Sequence, residues 1–169
     1  MRPRPRRRAA VRLSCALVLG SALLAGCGGS SADDPGAYAA ASCAPLSRLL
    51  IAGSLYGPQV DGSLPYRGPE YLRHVLETGV GSLQQVRPLL PAPQVGDVDA
   101  QLQFWTTAQR SLAATGYDPQ RLTDPQLSEI EVAAERSGSA AAGMRLQEFA
   151  VGQCGPGVQP NPQQLADFS

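Results

Sequence analysis

The chain has no lysine: all fourteen of its basic residues are arginine. That absence removes the phosphate-binding loop built on a glycine-rich turn and a lysine, Schiff-base chemistry and a serine–lysine dyad. Lysine-free composition reads as the codon bias of a GC-rich genome rather than as function. There is one histidine, His74, so a site with several histidine ligands is excluded. No Gly-x-Ser-x-Gly occurs, and hence no nucleophile elbow. Strands are missing too: no run alternates β-branched with polar residues, so no dinucleotide fingerprint has a strand to follow. Aromatic residues make up only 5%, too few for a broad carbohydrate-stacking surface.

What the chain does have begins at its first residues. Arg2, Arg4, Arg6, Arg7, Arg8 and Arg12 form a basic cluster, and Leu13 to Ala25 then carry no charge. A basic start, a short apolar run and small residues at its end are the pattern of an export signal. Thirteen uncharged residues fall short of the ~20 that a membrane-spanning helix needs. The arginines favour the cytoplasmic side, so the segment inserts with its C-terminal end facing out.

Leu24-Ala25-Gly26-Cys27 closes this region, and it resembles the lipobox of bacterial lipoproteins: an aliphatic residue, two small ones, then cysteine. The resemblance covers about the first 30 residues. It implies that residues 1–26 are a lipoprotein signal peptide, that cleavage falls before Cys27, and that Cys27 carries diacylglycerol through a thioether. Two or three acyl chains would anchor stably where one would not, at ~0.8 kcal/mol per buried methylene. The expected location is the extracytoplasmic face of a bacterial cell membrane, with membrane lipid as the first partner. The competing reading is an ordinary cleaved signal that leaves Cys27 as a nearby thiol. Arg7-Arg8 leaves the export route open between general secretory and twin-arginine.

Beyond the signal, eight arginines face fourteen acids, a net charge of −6. Without a basic stripe this excludes nucleic acid, where phosphate neutralisation supplies most of the affinity. It equally disfavours peripheral binding to anionic lipid, so the acyl chains would hold the protein alone. Of four cysteines, Cys15 is lost with the signal and Cys27 is taken by lipid under the lipoprotein reading. Cys43 and Cys154 remain, and in an oxidising location their pairing is the simplest assignment. A metal site is the rival, but two distant thiols and one histidine have poor zinc spacing; no metal and no cofactor is expected.

Residues 27–34 are small and polar, the composition of a flexible tether. From there to residue 155 the pattern predicts one all-α domain, a four-helix bundle with two helices kinked or broken and a disulfide joining the first helix to the last. Helix 1 is expected over about 35–54, opened by Asp34-Pro35 and bent at Pro45. The glycine- and proline-rich Leu55–Gly68 reads as a long loop. Pro69-Glu70 opens helix 2, whose Leu72, Leu76, Gly79, Leu83 and Val86 mark one buried stripe, with a break possible at Gly79 and Gly81. Asp97 is expected to cap helix 3, striped by Val98, Leu102, Trp105, Ala108 and Leu112 and stopped at Gly116. Thr123-Asp124-Pro125 opens helix 4, with Leu127, Ile130, Ala133 and Ala134 inward, a break at Ser137-Gly138-Ser139, and Ala141, Met144, Leu146 and Phe149 beyond it. The tail, residues 156–169, carries no pattern and is expected to be disordered.

Ala41-Ser42-Cys43, the Leu90-Pro91-Ala92-Pro93 connector and Gln153-Cys154-Gly155 resemble small uncharacterised lipoproteins and secreted proteins of GC-rich bacteria, a likeness that implies no known activity. Two constellations remain as candidates. Glu70, His74 and Glu77 share one face of helix 2, where a histidine between carboxylates serves as a general base, a weak metal ligand or a pH sensor; a solvated helix face accounts for the same spacing. Tyr56, Tyr66, Phe104, Trp105 and Phe149 would line an apolar ligand pocket, or simply fill the core. No residue stands out as catalytic. The expectation is a non-enzymatic binding or accessory module for a protein partner or small ligand; the alternatives are a helical hydrolase or metal-dependent enzyme using His74 with Glu70 and Glu77, and a structural envelope protein.

Overall fold

The computed structural model describes residues 35–62 and 66–168; the export signal, Cys27 and the tether lie outside the described residues. Every regular element among the described residues is helical, and there are six α-helices rather than four: α1 (Pro35–Asp61), α2 (Pro69–Val86), α3 (Ala92–Ala113), α4 (Asp124–Ser137), α5 (Ser139–Cys154) and α6 (Pro162–Asp167). Short 3-10 turns follow α2, α3 and α5. No described helix is long and apolar enough to cross a membrane.

Helix α2 sits in the middle of this arrangement, against both α1 and α3. Pro69 at its first turn and Glu70 beside it suit the helix start, where the missing N–H costs nothing and the dipole favours an acid. The expected stripe is buried in full, with Leu72, Leu76 and Leu83 at 0% exposure. The helix does not break at its glycines. Gly79 faces Trp105 of α3, and a β-carbon built there would lie 2.9 Å or less from three carbons of the indole ring. The absence of a side chain therefore lets α3 bring its largest residue close against the α2 backbone. Trp105 is 3% exposed. Its Nε1–H donates to Gln101 Oε1 at 3.0 Å, and the Gln101 amide in turn donates to the Ser139 carbonyl. This buried polar relay satisfies the indole N–H and ties α3 to the start of α5.

Helix α1 is longer than the sequence suggests and runs unbroken through Pro45 and Pro58. The stretch read as a loop from Leu55 is helical to Asp61. Leu55 and Tyr56 are buried, and Val60 packs on the same core beyond Pro58. Burial of such side chains contributes ~1.5–3 kcal/mol each, enough to offset the ~3 kcal/mol that an internal proline costs.

Helix α3 begins at Ala92, not at Asp97. Asp97 lies one turn inside and accepts from Arg145 of α5, with Nη2 to Oδ1 at 2.6 Å and Nε to Oδ2 at 3.2 Å. The proline-rich connector fixes this earlier start: Pro91 is extended and Pro93 occupies the first turn, where its missing N–H is harmless. At the other end Gly116 and Tyr117 both adopt positive φ, and the Tyr117 N–H closes onto the Leu112 carbonyl at 2.7 Å.

The expected fourth helix is two. Gly138 adopts the left-handed conformation (φ 64°, ψ 32°) and ends α4, which the absence of a β-carbon permits. At the start of α4 the Thr123 N–H donates to Gln126 Oε1 at 2.9 Å. Leu127 is 40% exposed, and Ala133 is the buried residue of this helix. The break resets the register of α5: Ser139, Ala142, Leu146 and Ala150 face inward, while Met144 is 61% exposed.

Cys154 at the end of α5 is disulfide-bonded to Cys43 of α1, with α-carbons 5.6 Å apart and a sequence separation of 111. The described chain beyond forms a 3-10 turn and then α6. Val158 in the turn after α5 is 4% exposed, and α6 packs Leu165 against the core with Phe168 just past its end. Asn161 starts this helix by a reciprocal pair: its Oδ1 accepts from the Gln164 N–H at 2.9 Å and its N–H donates to Gln164 Oε1 at 3.0 Å. Composition alone shows no pattern there because two anchoring side chains in seven residues make no period.

Two outcomes follow from this packing. Reducing the disulfide is expected to lower Tm, with a loss bounded by the ~4.7 kcal/mol that closing a loop of this size contributes; an unchanged Tm in reductant contradicts the link. Gly79→Ala is expected to destabilise by ~1–3 kcal/mol in a denaturant titration, because overpacking against Trp105 outweighs the ~1 kcal/mol that alanine gains in helix propensity. A more stable variant contradicts the close approach.

Candidate functional site

The histidine and its two glutamates do not converge. Glu70 is engaged by Arg73 one turn along α2. The His74 ring lies against Phe168, centroids 4.9 Å apart and planes tilted by 39°. Glu77 is exposed. Among the described residues no three His, Cys, Asp or Glu side chains form a group able to hold a metal ion. His74 thus meets the C-terminal segment rather than a pair of carboxylates, a contact that no spacing within α2 reveals.

The aromatic candidates divide. Tyr56, Phe104 and Trp105 form one cluster: Tyr56 stands 5.8 Å from Phe104 at 80° and 5.3 Å from Trp105 at 44°, and Phe104 stands 6.2 Å from Trp105 at 78°. These edge-on and tilted arrangements are what ring quadrupoles favour, contributing ~0.5–1.5 kcal/mol per pair beyond the area buried. Trp105 and Tyr56 are buried within the core, so the cluster fills the interior. Phe149 packs at its margin. Tyr66 is elsewhere, 37% exposed, with its hydroxyl donating to the Tyr117 carbonyl at 2.7 Å. That bond pins the crossover before α2 onto the turn after α3 and holds the left-handed Tyr117 in place. Burial and the Asp118 carboxylate both raise the Tyr66 pKa.

An open groove of about 500 Å³ lies on another face, along α5 and the turn that follows it. It is lined by Met144, Gln147, Glu148, Val151, Gly152 and Gln159. Met144 is 61% exposed at this surface. Two buried hydroxyls, those of Tyr71 and Ser111, have no hydrogen-bond partner among the described residues. Tyr71 lies beneath Arg67, whose guanidinium carbon is 4.1 Å from the ring centroid, and edge-on to Phe168 at 6.3 Å. Nothing in the structure explains the Ser111 hydroxyl.

No protein-family model, no curated protein and no solved structure matches the chain.

Burial pushes the Tyr56 hydroxyl up to about 12 from the ordinary 10.0. Above pH 10 the unfolded chain loses this proton while the folded chain keeps it, so stability falls as pH rises from 10 to 12 and is fully present below 10. At ~1.4 kcal/mol per pH unit the full loss is on the order of 2–3 kcal/mol. Tyr56→Phe is expected to flatten that part of the stability–pH curve. Tyr56 should also be the last tyrosine to ionise in an ultraviolet titration; ionisation with the exposed tyrosines contradicts its burial.

Proposed function

We propose that this chain is a lipid-anchored envelope protein whose helical domain is a binding or accessory module, held at the extracytoplasmic face through Cys27. The observation that carries the reading is the cysteine distribution. Cys43 and Cys154 are disulfide-bonded, a pairing suited to an oxidising compartment, and Cys27 stands at the end of Leu24-Ala25-Gly26-Cys27 behind an arginine cluster and an uncharged run. A net charge of −6 beyond the signal makes neutral or cationic partners the natural ones and leaves attachment to the acyl chains. The enzyme alternative through His74 gains no observation in its favour, since Glu70 is paired with Arg73 and the imidazole with Phe168. The module's partner is a protein or small ligand that meets an exposed helix face.

Metabolic labelling with a radioactive or clickable fatty acid tests the anchor. The unaltered chain is expected to take up label and to migrate as a cleaved form, and Cys27→Ser to remain unlabelled and uncleaved. Normal labelling of Cys27→Ser overturns the assignment.

A further inference from the structure

The C-terminal segment is attached to the rest of the fold by few side chains. Beyond the disulfide-bonded Cys154 and the buried Val158, the chain runs through Gln159-Pro160-Asn161 into α6, whose six residues are stabilised internally by the Asn161–Gln164 pair and by Gln163 donating to Asp167 at 2.7 and 2.8 Å. Among the described residues of this segment, Leu165 and Phe168, three positions apart, pack on the core. They lie where α6 meets α1 and where Phe168 meets Tyr71 and His74 of α2. Both anchors are only partly buried. Tyr71, whose ring meets Phe168 edge-on, has its hydroxyl buried with no hydrogen-bond partner among the described residues, an unmet requirement that folded proteins rarely leave.

We propose that residues 162–168 are a displaceable strap, and that the α1–α2 face beneath them docks a helical segment of a partner protein. That segment carries an aliphatic and an aromatic residue three positions apart and, unlike the strap, an acceptor for the Tyr71 hydroxyl. The strap shows what the face holds: a capped helical turn with two apolar anchors, the helix-in-groove mode of recognition. The missing acceptor gives a true partner an advantage that the internal occupant lacks. The inference deepens the binding-module reading and rests on it. Its test is separate, because peptide binding does not depend on whether Cys27 is acylated.

A tethered segment on a short linker has an effective concentration of roughly millimolar. For the strap to be the resident state, the same segment offered free must bind a vacated face with a Kd of about 0.1 mM or tighter, and the tethered copy must weaken apparent binding about tenfold or more. The probe is a fluorescent synthetic peptide of residues 159–169, titrated against the wild-type chain and against Phe168→Ala. Phe168→Ala is expected to bind it sub-millimolar and at least tenfold more tightly than wild type, and a peptide with its own phenylalanine replaced by alanine is expected not to bind. Absence of binding to either chain, or equal binding to both, overturns the proposal. Hydrogen exchange on the wild-type chain gives a second readout that needs no variant. The amides of residues 164–167 are expected to exchange far faster than the interior amides of α2; exchange as slow as that of α2 overturns displacement. Concentration-dependent dimers of the wild type, lost in Phe168→Ala, would show the strap of a second copy on the face and overturn the partner assignment.

Discussion

The contact on which the rest of the fold depends is the seat of Trp105 on Gly79. Without a β-carbon at Gly79, α3 brings the indole onto the α2 backbone. The indole N–H then needs an acceptor, since an unmet buried donor costs ~1–3 kcal/mol. Gln101 supplies it and passes the requirement to the Ser139 carbonyl, at the residue where α5 begins. Tyr56 completes the arrangement from α1, its ring 5.3 Å from the indole. Four helices thus meet through Trp105 and its partner Gln101. The close approach also limits change at Gly143, where a β-carbon would lie 3.0 Å from the Gln101 amide nitrogen.

Around this centre the remaining ties are peripheral and of different strength. The disulfide joins α1 to the end of α5 and acts mainly on the unfolded chain, by removing freedom between residues 111 apart. The Asp97–Arg145 pair joins α3 to α5 with the carboxylate largely covered, 12% exposed, and the guanidinium half in water. Arg87 with Asp99 and Arg110 with Glu129 are open to solvent, where such pairs contribute ~0–1 kcal/mol. The C-terminal strap is held by two half-buried apolar side chains. Stability is therefore graded, highest where α2, α3 and α1 meet and lowest at the C-terminal end, and a surface that opens without unfolding the core belongs at that low end.

Much of the fold was legible in the sequence where burial has a period. The α2 stripe from Leu72 to Val86 and the α3 stripe around Trp105 were readable because each repeats at helical spacing over four turns or more. The all-α class followed from the absence of alternation, and the Cys43–Cys154 link from the cysteines left over. Misreadings occurred where local signals compete with tertiary ones. Pro58 looked like a loop, yet α1 continues through it because Tyr56 and Val60 find the core. Asp97 looked like a cap, yet its carboxylate is taken by Arg145. The left-handed turn at Gly138 was readable as a break, but not which residues of α5 turn inward after it. Of the candidate site, the spacing placed Glu70, His74 and Glu77 on one face of α2. It carried no information that His74 would meet Phe168, ninety-four residues away.

The central claim is that one tightly packed unit organised on Trp105 holds α1, α2, α3 and α5 together. Trp105 is the one tryptophan of the chain, so its fluorescence reports this site alone. Equilibrium unfolding in denaturant, followed at once by tryptophan emission and by far-ultraviolet circular dichroism, measures it most directly. Coincident transitions with one midpoint are the predicted result. Emission shifting to that of a solvated indole at a lower denaturant concentration, with helicity still intact, would contradict the account.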